Sequence, residues 1–163
     1  MSSMEPGISF RELFHYSDYL AGRWIKYFNE HPDALDVEVG GRTGSLRNLV
    51  SHIFDVELFF AAQVSGENPA RPAQAKQETP TLEELLQRHQ KAQEKLLRFV
   101  ESANEEGLRQ KHTFGPVTVS SRKLLAQTAL HSIHHWAQVA MEVRQAGFPV
   151  EKPQDIIITD LME

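Results

Sequence analysis

The sequence predicts an all-α protein: a four-helix bundle with a long crossover between its second and third helices and a short extended arm before the fourth. Three observations carry that expectation. Four long stretches place apolar side chains at helical spacing, polar breaker segments separate them, and the β-branched alternations are too short to build a sheet. At 163 residues the chain has the length of one domain, spanning 1–163, with a single core.

The first helix is expected over residues 8–30, where Phe10, Leu13, Phe14, Trp24, Ile25 and Phe28 fall in one stripe at about 100° per residue. His31-Pro32 ends it, and Gly40, Gly41 and Gly44 break the loop that follows. Val37 and Val39 alternate over too short a run to predict a strand. The second helix starts at the N-cap residue Ser45 and runs to Gly66. Residues 66–80 carry three prolines and almost no large apolar side chain, which makes them the long crossover. Thr81 and Glu84 stand at capping-box spacing and open the third helix, 81–104. Residues 111–120 combine Gly115-Pro116 with the alternation Val117, Thr118, Val119, the pattern of an extended arm or hairpin. The fourth helix begins at Ser120 or Ser121 and runs to about Gln145, ended by Gly147 and Pro149. Ile156, Ile157 and Ile158 in the tail suit a short strand or a packed terminal turn. A long second connection permits neighbouring helices to run parallel.

Composition excludes several function classes. Hydrophobic residues make up 40% and charged residues 24%, ordinary for a soluble globular protein, and no apolar run is long enough to cross a bilayer. The N-terminus lacks both the basic region and the apolar region of a secretory signal, so a cytoplasmic location is expected. There is no cysteine, which removes disulfides, thiolate ligands and a cysteine nucleophile together. Any metal must be held by nitrogen and oxygen. A net charge of -5 with scattered Lys and Arg argues against a nucleic-acid partner.

Three of the eight histidines crowd the otherwise apolar stretch TALHSIHHWAQVA, residues 128–140. On a helix, His135 lies about 40° from His131 and about 6 Å further along the axis, so the two rings share a face. His134 lies about 60° to the other side, toward Leu130, Ala137 and Met141. The 131/135 face also carries Thr128, Gln138 and Glu142, a polar strip of the kind that lines a cleft. A His-x-x-x-His pair alone is common without metal, and here Ser132 stands where a zinc-protease helix requires Glu, so peptide hydrolysis by that motif is excluded.

The second helix strengthens the metal reading. Leu49, Val56, Phe59 and Phe60 all lie within about 80° of His52, which puts His52 on the apolar face itself. A buried imidazole with an unpaired nitrogen costs about 1–3 kcal/mol, so it needs a partner. His52, His131 and His135 together make a three-histidine set suited to Zn²⁺, Ni²⁺ or another first-row divalent ion, with positions left open for water or substrate. The alternative is a metal-free bundle in which His52 meets a carbonyl, Tyr or Glu on a facing helix. His15 on the outer side of the first helix, His31 in a turn, His89 amid polar residues and His112 at the start of the arm are not expected to be ligands. The charges of the third helix are expected to form a solvated face with same-helix pairs.

With the motif L-x-x-L-V-S-H-I ending at His52 and Ile53, and H-S-I-H-H-W-A-Q from His131 to Gln138, the chain resembles the DinB-like family. That superfamily also includes bacillithiol transferases and mycothiol-dependent isomerases. The likeness covers nearly the whole chain in segment order. The family's paired-histidine motif commonly continues Arg-Gly-Gln, whereas this chain has Trp136 and Ala137 before Gln138, which leaves the ligand positions intact and the substrate preference open.

The resemblance implies metal ligation by His52, His131 and His135, with His134 a neighbour, in a bundle that is often dimeric. Relatives use the metal to activate a low-molecular-weight thiol for transfer to an electrophile or for isomerisation. The expectation is therefore a metal-dependent, thiol-dependent transferase acting on a small electrophile, as a homodimer. Gln138 and Glu142 are the candidates for holding the far nitrogens of the ligating imidazoles. The rival expectation is a non-catalytic, stress-related bundle that binds metal or ligand.

Overall fold

The computed structural model describes residues 7–70, 72, 79–150 and 161. Helix α1 spans Phe10–Glu30 and opens on a complete capping box, in which Ser9 and Glu12 satisfy each other's backbone N–H groups. A 3-10 turn, Pro32–Asp36, leads to a minimal hairpin of β1, Glu38–Val39, and β2, Gly44–Ser45, paired Glu38↔Ser45 and Val39↔Gly44. The two-residue ladder forms where the Val37/Val39 alternation is too short to predict one.

Helix α2, Leu46–Val64, is capped by Ser45. It ends in a Schellman turn, with Gly66 at φ 80° and the Glu67 N–H bonded to the Ala62 carbonyl. Helix α3, Leu82–Ser102, opens on the Thr81/Glu84 capping box. It stops two residues short of the expected end because Asn104 caps a separate short helix instead, α4, Glu105–Arg109. The arm is a hairpin of β3, Lys111–Phe114, and β4, Val117–Ser120, turning at Gly115. Helix α5, Ser121–Gln145, is capped by Ser120 and closed by a second Schellman turn at Gly147. The Ile156–Ile158 segment and crossover residues 71 and 73–78 lie outside the described residues.

Helices α1 and α2 each pack against both α3 and α5, so α1 and α2 sit diagonally. Contacts between the α2 and α3 segments advance in the same direction along both helices, from Arg47 with Pro80 just before α3, through Asp55 with Arg88, to Glu67 just after α2 with Lys95. The two helices therefore run parallel. A parallel pair must return the chain over the length of the bundle, which is what the long crossover does.

The core is two apolar clusters with a polar layer between them. One holds Leu20, Trp24, Phe28, Leu49, Ile53, Phe54, Leu85 and Trp136, with the Trp24 and Trp136 rings stacked at 6.0 Å. The other holds Phe14, Ala61, Val64, Ala92, Leu96, Leu125 and Ala129. At the level between them, the Glu57 carboxylate accepts hydrogen bonds from Ser17 Oγ at 3.2 Å and Ser132 Oγ at 2.5 Å, and pairs with His89 Nδ1 at 2.7 Å. His89 Nε2 reaches Asp18 at 3.0 Å, at the surface. All four long helices contribute to this layer.

A carboxylate in that position must be paired, because an isolated buried charge is far too costly. Burial alone pulls the His89 pKa down. The hydrogen bonds it donates to Asp18 and Glu57, and then their charges, outweigh burial and hold it at about 9, so the ring is an imidazolium at neutral pH. A group whose folded pKa lies above its unfolded value stabilises fully below that value and loses its contribution as pH rises through the folded one. Unfolding free energy should therefore decline between the ordinary histidine range and about pH 9. Denaturant titrations should show this loss in the natural chain, and a flat response in His89→Leu, itself destabilised by about 3–5 kcal/mol. Parallel pH profiles would contradict the assignment.

Candidate metal centre

Helix α2 presents His52, and α5 presents His131 and His135 one turn apart. One nitrogen from each ring lies within 4.8 Å of the other two. The ring centroids are 5.0 Å apart for His52 and His131, 5.1 Å for His52 and His135, and 4.4 Å for His131 and His135. His52 Nε2 and His131 Nε2 stand 3.1 Å apart. Two nitrogens on a tetrahedral zinc ion, each at about 2.05 Å, would be separated by about 3.3 Å, so this pair is nearly at ligating spacing.

The donor set fits a divalent first-row ion on chemical grounds as well. Burial, and then the neighbouring His135, His52 and His134, push the His131 pKa down to about 3. Partial desolvation of its ring lowers His52 although the residue is exposed, partly offset by Asp55, and burial lowers His135, partly offset by its bond to Gln138. Neutral imidazoles are the ligating form. His131 Nδ1 is buried with no hydrogen-bond partner, a cost that a strong bond at Nε2 would offset. His135 Nδ1–H donates to Gln138 Oε1 at 3.0 Å, which fixes the tautomer and leaves Nε2 free for the ion.

The geometry corrects parts of the sequence reading. His52 is exposed, not buried on an apolar face. Helix α2 is apolar over most of its circumference, and its core side is taken by Leu46, Leu49, Val50, Ile53, Phe54 and Ala61, centred well to one side of His52. The histidine stands at the exposed edge of the α2–α5 contact, and the site faces solvent there. Of the polar strip on α5, Gln138 meets His135, but Thr128 is buried and donates to the Leu124 carbonyl. Glu142 is half-buried, and no hydrogen bond joins it to any of the three histidines. His134 is exposed, with its ring 5.1 Å from that of His135, and lies outside the three-nitrogen group. Trp136 points into the core against Trp24 and Phe54.

Two histidines were underrated. His89 lies at 1% exposure in the polar layer, and His112 is buried with its Nε2 2.7 Å from Ser121 Oγ. A signal for His89 was present: Leu85, His89, Ala92 and Leu96 form the apolar stripe of α3. Glu57 had one too, since it falls at helical spacing from Ile53, Phe54 and Ala61. The charges of α3 make the expected same-helix pair Glu94–Arg98, but Arg88 reaches across to Asp55 on α2, and Lys95 to Glu67 just past its C-terminal end. Among the described residues, the three-nitrogen cluster is the group able to hold a metal.

A helical bundle with three convergent imidazoles at the edge of two packed helices defines a class of protein equipped to hold a metal ion. The chain belongs to the DinB family, whose sequence pattern matches residues 8–155. It is similar to the crystal structure of a DinB-like protein from Bacillus subtilis, with 25% identity, 88% of this chain and 92% of that chain covered, and a TM-score of 0.58. A DinB family member from Shewanella denitrificans shares the fold at 16% identity, with 89% and 85% covered and a TM-score of 0.53. A comparison with curated proteins found no match. No helix among the described residues is long and apolar enough to cross a membrane.

Gln138→Leu removes the acceptor for His135 Nδ1–H while keeping the side chain's bulk. It should weaken metal binding about 10–100-fold and change apoprotein stability by less than about 1 kcal/mol. Calorimetric titration with Zn²⁺ and thermal unfolding measure the two effects, and unchanged affinity would remove Gln138 from the site.

Proposed function

We propose that the protein binds a first-row divalent ion through His52, His131 and His135 and acts as a thiol-dependent transferase on a small electrophile. The observation that carries this reading is the convergence of three ring nitrogens within 4.8 Å beside an exposed His52. An ion held by three imidazoles keeps coordination positions open and, as a Lewis acid, lowers the pKa of a thiol that reaches it. The chain has no cysteine, so the thiol must arrive as a small molecule.

The chain's own residues supply placement. Helix α5 carries two ligands at one-turn spacing, α2 the third, and Gln138 holds the His135 ring. The depressed histidine pKa values keep protons from competing for the ring nitrogens near neutral pH. Family membership supports this chemistry by analogy. A cytoplasmic homodimer is part of the same reading, supported by Leu130 and Met141, which are exposed on the outer side of α5.

Protein purified without an affinity tag should bind Co²⁺ at one equivalent per chain. His52→Ala, His131→Ala and His135→Ala should each lower that affinity about a hundredfold or more. Low-molecular-weight thiols should then shift the visible spectrum of the cobalt protein. A spectrum indifferent to every thiol tested would favour the non-catalytic binding protein, and unchanged affinity in the alanine variants would overturn the ligand assignment.

A further inference from the structure

The polar layer that divides the core connects to the metal centre through the helices that carry the ligands. Glu57 lies on α2, five residues after His52. Ser132 lies on α5, immediately after His131 and three residues before His135. The 2.5 Å bond from Ser132 Oγ to Glu57 Oε1 therefore joins the two ligand-bearing helices directly, in the core, beside His131 on α5 and about one and a half turns from His52 on α2. Both residues are buried, at 0% and 1% exposure.

Apolar packing between α2 and α5 is attractive but not directional, and cores of the right volume tolerate small shifts of register. Ligation does not, since a working site needs its ligands held to about 0.5 Å. A hydrogen bond to a carboxylate is short, strong and directional. The carboxylate is itself held from two further sides. His89 on α3 binds Oε2 at 2.7 Å, and Ser17 on α1 donates to Oε1 at 3.2 Å. Glu57 cannot follow α5 without breaking those bonds, so α5 is referenced to a fixed point in the middle of the bundle.

We propose that Glu57 and Ser132 are positioning residues for the metal centre, a pin that sets the spacing between His52 and the His131/His135 pair. The inference rests on the metal reading above for its purpose, while the geometric role stands apart from it. Ser17 supplies the control. It donates to the same carboxylate oxygen but lies on α1, which carries no ligand.

The test compares Ser132→Ala with Ser17→Ala by two readouts. In Co²⁺ titrations, Ser132→Ala should weaken binding about tenfold or more and alter the visible cobalt spectrum. Ser17→Ala should stay within about twofold of the natural chain, although both variants lower the melting temperature. The second readout needs no metal. Ring-proton Overhauser contacts between His52 and His131, whose centroids are 5.0 Å apart, should persist in Ser17→Ala and weaken in Ser132→Ala. Equal effects of the two variants on both readouts, or no effect of Ser132→Ala on either, would overturn the pin. If the natural chain binds no cobalt but the Overhauser contacts respond as expected, the positioning role holds and the metal reading fails.

Discussion

The buried Glu57 carboxylate is the constraint around which the bundle is arranged. A charge at 1% exposure in the middle of a helical core is tolerable only if every lone pair facing the interior finds a donor. Ser17, His89 and Ser132 come from three different helices to provide those donors, and Asp18 supplies the second carboxylate that keeps His89 charged. Replacing such a network with apolar side chains would often leave a bundle as stable or more so. What the network adds is directionality. It accepts one rotation and one axial register for each helix, where leucine-on-leucine contacts would accept several.

That directionality matters because the candidate metal centre is assembled from helices far apart in sequence. His52 and His131 are separated by 79 positions, yet their Nε2 atoms stand 3.1 Å apart. The long crossover joins the parallel helices α2 and α3, and His89, near the middle of α3, lies against Glu57. The apolar clusters on either side of the polar layer contribute the bulk of the stabilisation, and the layer sets the alignment. The histidines then sit at the edge of the aligned pair of helices, where His52 is open to solvent and a small molecule has access.

Much of this was legible in the sequence. Caps at Ser45, Thr81 and Ser120, breakers at Gly66 and Gly147, and the crossover composition placed all four long helices to within a few residues. The three-histidine set followed from one-turn spacing on α5 together with His52. What stayed hidden was the side of α2 that faces inward. A helix apolar nearly all round has a weak phase, so the expected burial of His52 fails and it is Glu57 that faces the core. His89 was masked by its polar sequence neighbours although its own register was apolar. Short elements are illegible for a different reason: the β1–β2 ladder and α4 depend on tertiary contacts and a single Asn104 cap, and neither has a period long enough to read. Glu142 looked like a companion of Gln138 because both share a face with His135, but only Gln138 bonds the ring.

The central claim is that three imidazoles, and no further protein side chain, hold a divalent ion with positions left open. X-ray absorption spectroscopy of the zinc-loaded protein addresses it most directly. Three histidine nitrogens are expected at about 2.0–2.1 Å, recognisable by imidazole outer-shell scattering, completed by one or more light-atom ligands from solvent. A spectrum with a closed set of four protein ligands, or without the imidazole signature, would contradict it.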